Sequence, residues 1–243
     1  RKGPDMPEAT DLRLKVFADG ADIASIRKLS ENPMIKGFTT NPTLMRKAGI
    51  EDYSEFALEL LDVVPDRPIS FEVFADEPIE IERQARLLAS WGPNVYVKIP
   101  VTTTDGSSTA DLVTRLAADG IQTNVTAMFT LDQLREFLPG LAGGPAAYVS
   151  IFAGRIADAG IDPVPVMSEA LEMLAPHPNI ELIWASPREV LNIVQADEIG
   201  CDVITVTSDL LAKLPGLGKD LTQFSLETVR MFFEDALASQ FSL

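Results

Sequence analysis

Eight short runs of apolar and β-branched residues recur along this chain of 243 residues, and they constrain its fold more than any other feature. They lie roughly 20 to 30 residues apart, and the segments between them have helical periodicity. An alternation of buried strands with amphipathic helices predicts βα units and parallel strands. The runs span residues 14–18, 35–39, 69–74, 94–99, 121–125, 148–151, 182–185 and 203–206.

Eight βα units predict the α/β class and a single (β/α)8 TIM barrel, a fold that takes roughly 250 residues. The competing fold is a doubly wound open sheet. No Gly-x-Gly-x-x-Gly follows the first run and no P-loop lysine pattern is present, so the barrel is favoured. We expect residues 1–13 to form a tail and residues 14–243 to form the one barrel domain.

Several segments carry signals for the start of a helix. The strongest is Ser186-Pro-Arg-Glu189, because it combines capping-box spacing with proline at the first helical position. It predicts a helix that begins at Ser186. The weaker signals are Ser108 with Asp111, Thr130 with Gln133, and Asp76 ahead of Pro78.

The last predicted helix begins at about Ser225 and has one apolar stripe. Such a stripe must be covered, so we expect this helix to pack across the barrel or against a neighbouring subunit. Packing on the barrel is the simpler expectation, and a homo-oligomer is the alternative. The stripe consists of Leu226, Val229, Phe232 and Phe233.

The composition argues against several classes of function. With 20 basic and 36 acidic residues, the chain has a formal net charge of −16, so its field repels nucleic acid and anionic membranes. One cysteine, Cys201, and one histidine, His177, provide no cysteine zinc site, and we expect neither a metal nor a cofactor. No run of about 18 apolar residues or signal-peptide pattern is present, so the expected compartment is the cytoplasm.

In a parallel barrel the active site forms at the carboxyl ends of the strands, so polar residues there are candidates for chemistry. Lys98 closes one apolar run. Burial lowers the pKa of a lysine, and a neutral lysine can attack a carbonyl to form an imine. The alternative is a lysine that extends to solvent or pairs with Glu72.

Two carboxylates accompany this lysine at predicted strand ends. Asp19 ends the first run, and Glu72 lies within the apolar stretch Ile69-Ser-Phe-Glu-Val73. Carboxylates in different surroundings have separate pKa values and can divide acid and base work. Structurally, Asp19 could instead cap the next helix and Glu72 could serve only as a partner of Lys98.

Neutral hydrogen-bonding groups end other runs and suit a substrate with many hydroxyl groups. They would also suit a bound water during imine chemistry. Ordinary turn chemistry is the alternative for each. These residues are Asn41, Asn124, Thr126 and Ser150.

Two arginines follow the predicted sixth and seventh strands. Arg155 and Arg188 could grip a phosphate, and the helix predicted to start at Ser186 would add backbone N–H donors. The alternative is that the arginines form surface ion pairs with Asp158 or Glu189.

From about Leu14 to the final helix the sequence resembles the transaldolase family, including its short-chain members and the fructose 6-phosphate aldolases. The resemblance rests on five motifs in order, each at a predicted strand end. They are Thr-Thr-Asn-Pro-Thr at 39–43, Val-Lys-Ile-Pro at 97–100, Asn-Val-Thr at 124–126, Ser-x-Phe-x-Gly-Arg at 150–155 and Ala-Ser-x-Arg at 185–188.

The resemblance implies a role for each matched residue. Lys98 would form the imine, and Asp19 would move the proton of the hydroxyl next to the bond that breaks. Glu72 and Thr126 would hold the water of imine formation and hydrolysis. Asn41 and Asn124 would orient the dihydroxyacetone unit, and Arg155, Ser186 and Arg188 would hold phosphate. The further substrate-binding candidates are Thr39, Ser150 and Phe152.

The motifs depart from the family pattern at Ile151 and Pro187, which puts the choice of acceptor in doubt. Glu72, and Phe152 in place of the tyrosine expected in the aldolases, make the chain resemble a transaldolase more than a simple aldolase. The resemblance leaves open whether such an enzyme serves the pentose phosphate pathway or a specialised sugar pathway.

The expected function is therefore transfer of a three-carbon dihydroxyacetone unit from a ketose phosphate to an aldose phosphate, in two steps, with small-molecule sugar phosphates as partners. One rival is a free aldolase that releases dihydroxyacetone by hydrolysis. The rival from another class is a barrel that binds a sugar phosphate without turning it over.

Overall fold

A computed structural model describes residues 12–239, and in it eight parallel strands close into one barrel in chain order, with β1 paired to β8. The predicted (β/α)8 barrel is therefore confirmed. The strands are β1 Lys15–Asp19, β2 Ile35–Thr39, β3 Ile69–Glu72, β4 Val95–Pro100, β5 Thr123–Met128, β6 Ala147–Ile151, β7 Ile180–Trp184 and β8 Val203–Thr207.

Helices follow every strand and surround the barrel. They are α1 Ile23–Ser30, α2 Pro42–Lys47, α3 Tyr53–Val63, α4 Pro78–Ala89, α5 Ala110–Ala118, α6 Leu131–Leu141, α7 Ala153–Asp158, α8 Pro163–Leu174, α9 Val190–Glu198, α10 Ser208–Leu211 and α11 Leu221–Ala238, with a 3₁₀ turn at Leu214–Gly216.

One predicted helix start is confirmed. Thr130 and Gln133 form the reciprocal capping box of α6. Pro78 is the first residue of α4, as expected. The N-cap is Glu77 and not Asp76, whose carboxylate accepts a hydrogen bond from the Thr104 backbone N–H.

Two predicted helix starts are wrong. Helix α5 begins at Ala110 after Thr109, so Ser108 is not its N-cap. Helix α9 begins at Val190, and its capping box joins Glu189 to Asn192 instead of Ser186 to Glu189. Ser186 has a φ of 61°, which is the left-handed region and not the extended conformation of an N-cap.

The strands separate two layers of buried side chains. The larger layer lies between the strands and the helices, and the smaller lies inside the barrel and includes Phe17, Tyr96 and Tyr148. The Tyr96 and Tyr148 rings are 4.4 Å apart, and the Phe17 ring meets Tyr148 edge to face at 5.5 Å. A Cβ on Gly37 would lie 2.6 Å from the Phe17 ring, so glycine in β2 gives this ring its space.

The final helix differs from the expectation. Helix α11 begins at Leu221, four residues earlier than about Ser225, and none of its residues is buried. The expectation that its apolar stripe packs on the barrel is wrong, and the neighbouring subunit remains as the alternative. Within residues 12–239, no helix is long and apolar enough to cross a membrane.

Of the expected tail, residues 1–13, the structure describes only residues 12 and 13. Residues 1–11 and residues 240–243 lie outside the described residues.

Candidate active site

Lys98 lies inside the barrel on β4 and is only 7% exposed. Strand pairing sets Lys98 beside Glu72 of β3, and its Nζ is 3.2 Å from the Glu72 Oε2 atom. The same nitrogen donates a hydrogen bond to the Thr40 carbonyl oxygen at 3.1 Å. The lysine is therefore held inside the barrel and does not extend to solvent, and the ion pair with Glu72 is present.

Asp19 ends β1 and accepts a 2.8 Å hydrogen bond from the Thr39 hydroxyl. Burial raises the pKa of this carboxyl group, while the positive charge of Lys98 and the Thr39 hydrogen bond lower it in part. Asp19 and Lys98 are thus electrostatically coupled across the barrel. Asp19 does not cap α1, because Asp22 does so.

Asn124 and Ser150 form a second polar group on β5 and β6. The Ser150 hydroxyl donates to the Asn124 side-chain oxygen at 2.7 Å, and the Asn124 amide donates to the Ser70 hydroxyl at 3.0 Å. All three side chains are buried. Since each contact restrains the amide, Asn124 presents its remaining N–H in one orientation.

Thr126 has a buried hydroxyl without a hydrogen-bond partner among the described residues. It lies where β5 is interrupted by a bulge, and the next residue, Ala127, has a φ of 58°. A buried hydroxyl left unpaired costs stability, so it marks a place where a water molecule or a ligand group would be bound.

Asn41 directly follows β2 and serves as the N-cap of α2, accepting from the Leu44 N–H at 3.0 Å. The alternative of ordinary turn and capping chemistry is therefore confirmed for Asn41. Among residues 12–239, its side-chain amide nitrogen makes none of the hydrogen bonds described.

Ser186 closely approaches Gly154 at the start of α7. A Cβ on Gly154 would lie 1.6 Å from the Ser186 carbonyl oxygen, so only glycine fits there. No helix begins at Ser186, because α9 begins at Val190. The backbone N–H donors expected from a helix N-terminus at Ser186 are therefore absent. Its positive φ is the kind of backbone strain that often accompanies a binding site.

The two arginines occupy different surroundings at this end of the barrel. Arg155 lies on α7 with its guanidinium 5.4 Å from the centre of the Phe152 ring. Arg188 follows β7 and binds Asp158 through Nε at 2.9 Å and through a second guanidinium nitrogen. The surface ion pair between Arg188 and Asp158, which was the alternative to a phosphate site, is thus present.

The two departures from the family pattern differ in position. Ile151 is fully buried in the layer between strands and helices, so it does not face the interior of the barrel. Pro187 follows Ser186 in the loop after β7.

Sequence reasoning missed three residues of this region: Ser70, Thr205 and Gly154. Ser70 is two residues before Glu72, so both face the interior in a strand. Thr205 lies within the run predicted as the eighth strand and contacts Thr39. Ser70 and Thr205 could have been identified as polar residues within apolar runs. Gly154 could not, because its contact with Ser186 depends on a loop that is distant in the sequence.

The chain matches proteins of known family over most of its length. The pattern of the Transaldolase/Fructose-6-phosphate aldolase family covers residues 16–243. A protein named "Probable transaldolase" from Dehalococcoides mccartyi is 34% identical over 83% of this chain and 90% of its own length. Another of that name, from Streptococcus pyogenes, is 34% identical over 91% of this chain and 97% of its own.

Solved structures agree in fold. A truncated 3-deoxy-D-arabino-heptulosonate 7-phosphate synthase from Thermotoga maritima gives a TM-score of 0.52 at 12% identity, covering 93% of this chain and 87% of that one. Identity this low concerns the fold alone. The family match and the curated relatives, taken with the barrel, show that the chain belongs to the transaldolase/fructose-6-phosphate aldolase family of aldolase-type enzymes.

Proposed function

We propose that the protein transfers a dihydroxyacetone unit from a ketose phosphate to an aldose phosphate through a Schiff base on Lys98. The observation that carries the proposal is the buried Lys98, paired with Glu72 and coupled to Asp19 in one polar end of the barrel. Family membership supports aldolase-type chemistry.

The first step would form the imine. Glu72 lies close enough to take a proton from the Lys98 ammonium, and the neutral amine then attacks the ketose carbonyl carbon. Glu72 returns its proton to the hydroxyl of the resulting carbinolamine, which leaves as water to give the iminium ion. The unpaired Thr126 hydroxyl and the Glu72 carboxylate are the groups we assign to hold that water.

The second step would break the carbon–carbon bond. Asp19 takes the proton of the hydroxyl group on the carbon that becomes the aldehyde carbon of the leaving aldose. As that carbonyl forms, the electrons of the breaking carbon–carbon bond pass into the iminium and give an enamine. Asn41, Asn124 and Ser150 would orient the hydroxyl groups of the three-carbon unit. The enamine then adds to the acceptor aldehyde, and Asp19 returns the proton to the new hydroxyl group. Water held by Glu72 and Thr126 then hydrolyses the product iminium, which releases the new ketose and restores Lys98.

The phosphate would bind at the rim near the ends of β6 and β7. Arg155, Ser186 and Arg188 are the residues we assign to it, with Phe152 supporting the Arg155 guanidinium by stacking. Phe152 has no hydroxyl group, so it can take no part in proton transfer.

The test is borohydride reduction in the presence of fructose 6-phosphate, followed by peptide mass spectrometry. We expect a reduced three-carbon adduct on the peptide that contains Lys98 and none in Lys98→Ala. Lys15→Ala is the matched control, because Lys15 is a surface lysine paired with Glu181 and should leave the adduct intact.

No adduct on folded protein that binds the sugar would contradict the Schiff base and favour a barrel that only binds. Release of dihydroxyacetone without an acceptor aldehyde would instead identify a free aldolase that uses the same lysine.

A further inference from the structure

A row of two hydroxyl groups extends from Asp19 across the inside of the barrel. The Thr39 hydroxyl contacts the Asp19 carboxylate on one side and the Thr205 hydroxyl of β8 on the other. Thr39 is 2% exposed and Thr205 is 7% exposed, so bulk water contributes little to either. Thr205 has no role in the proposed imine and cleavage steps.

The chemistry of a hydroxyl group determines how this row is ordered. Each hydroxyl donates one hydrogen bond and can accept two. When Asp19 is ionised, the one hydrogen of Thr39 points to the carboxylate, so the hydrogen in the Thr39–Thr205 contact must come from Thr205. When Asp19 is protonated, its own hydrogen can point to Thr39 and that of Thr39 to Thr205.

Both protonation states of Asp19 therefore keep the same heavy-atom positions. Only the two hydroxyl hydrogens rotate between the two arrangements. A residue that must both take and return a proton within one cycle gains from such a partner, because no rearrangement of side chains accompanies the transfer.

We propose that Thr205 is a positioning residue for the reaction, which holds the Thr39 hydroxyl in line with Asp19 and lets it donate or accept as Asp19 changes protonation state. The proposal rests on the proposed function, in which Asp19 moves the substrate proton. Thr205 is not a catalytic residue in this scheme, since it acts through Thr39.

The charges around Asp19 stay the same when Thr205 is changed. Lys98 of β4 is the charged group that acts on Asp19, and Glu72 of β3 pairs with Lys98. The other ionisable residues that line the same cleft as Asp19 are Asp22, Lys47 and Asp209. A changed pH profile in a Thr205 variant would thus report the hydroxyl row and not a lost charge.

The direction of the expected change follows from the hydrogen bonds. A bond donated by Thr205 polarises the Thr39 hydroxyl and strengthens its charge-assisted bond to the ionised carboxylate. This state gains more than protonated Asp19 gains from the reverse order, because hydrogen bonds to a charged group are stronger than neutral ones. Removal of the Thr205 hydroxyl therefore raises the pKa of Asp19. Because cleavage requires ionised Asp19, the acidic limb of the kcat/KM profile should move to higher pH.

The experiment measures kcat/KM for transfer from fructose 6-phosphate between the acidic limb and neutral pH, in wild type, Thr205→Val and Thr205→Ser. We expect valine to move the acidic limb up by about 0.5 pH unit and to lower kcat/KM about threefold below it. Serine, which restores a hydroxyl, should return the wild-type profile. Thr205→Ala replaces valine if the valine variant melts early.

Borohydride trapping on Lys98 is measured in the same proteins. Trapping in all variants with an unchanged limb in Thr205→Val would overturn the role of Thr205 and leave the proposed function standing. Equal shifts in the valine and serine variants would overturn it too, since the hydroxyl would not matter. No trapping in wild type would refute the proposed function itself.

Discussion

Arg188 offers two guanidinium nitrogens to Asp158, so a phosphate bound by Arg188, as proposed, would compete with this carboxylate for the same donors. Both side chains are about half exposed, and exposed ion pairs are weak. We predict that Asp158→Asn lowers KM for a phosphorylated acceptor a few-fold, because it frees Arg188. Arg188→Ala should raise that KM about tenfold or more, as expected for a charge-assisted hydrogen bond.

The control for this prediction is an acceptor without phosphate, such as glyceraldehyde, assayed with the same donor. Its KM should be almost unchanged in both variants. Equal effects on the two acceptors would show that Arg188 does not bind phosphate.

At the scale of elements, α11 carries a face of exposed apolar side chains that the barrel of its own chain leaves uncovered. Phe232 is 63% exposed and Phe233 is 64% exposed. A patch of this kind marks an interaction site, and we expect a second copy of the chain to cover it. We predict that Phe232→Ser combined with Phe233→Ser lowers the mass measured by light scattering to that of one chain.

Ile79→Ser is the comparison variant, because Ile79 of α4 is 87% exposed as a single residue and should leave the mass unchanged. A wild-type protein that already has the mass of one chain would contradict self-association through α11.

At the scale of the whole molecule, the partly buried Asp19 lowers the free energy of unfolding at neutral pH. Burial raises its pKa above 3.8, so the folded state binds this proton more tightly than the unfolded chain does. The contribution of Asp19 to stability therefore falls as pH rises from about 4 through the folded pKa, and it stays lower at neutral pH. We predict that Asp19→Asn raises Tm at pH 7 by about 2–4 °C, and lowers activity about 10²–10⁴-fold.

Asp22→Asn provides the matched control. The hydrogen bond with Ser25 lowers the pKa of Asp22, so its carboxylate favours the folded state above the unfolded pKa, and asparagine caps a helix about as well. It should give no gain in Tm. A loss of Tm in Asp19→Asn at pH 7 would contradict the prediction.

The strands were predictable because their signal is local. The run at 35–39 matches β2 to the residue, and the other seven runs overlap their strands. The capping box of α6 was predictable for the same reason. The pattern at Ser186 failed because Ser186 lies in the left-handed region, against Gly154 of α7, and this contact joins two segments that are distant in the sequence.

The periodicity of α11 indicated an apolar face, but a face does not specify its partner. Lys98 posed the same difficulty, since an apolar run is compatible with a lysine that reaches solvent or with one paired inside. The register between β3 and β4 places Glu72 beside Lys98, and the two side chains form an ion pair.

The eight βα units and the residue types at the strand ends could be predicted from local sequence, because hydrophobic periodicity and strand propensity act over a few neighbouring residues. Which side chains meet depends on the closed barrel. Thr39 and Thr205 are 166 residues apart in the chain, and Lys98 and Thr40 are 58 apart. Contacts over such separations exist only once the barrel closes, since barrel register and tilt set them and no local pattern encodes either.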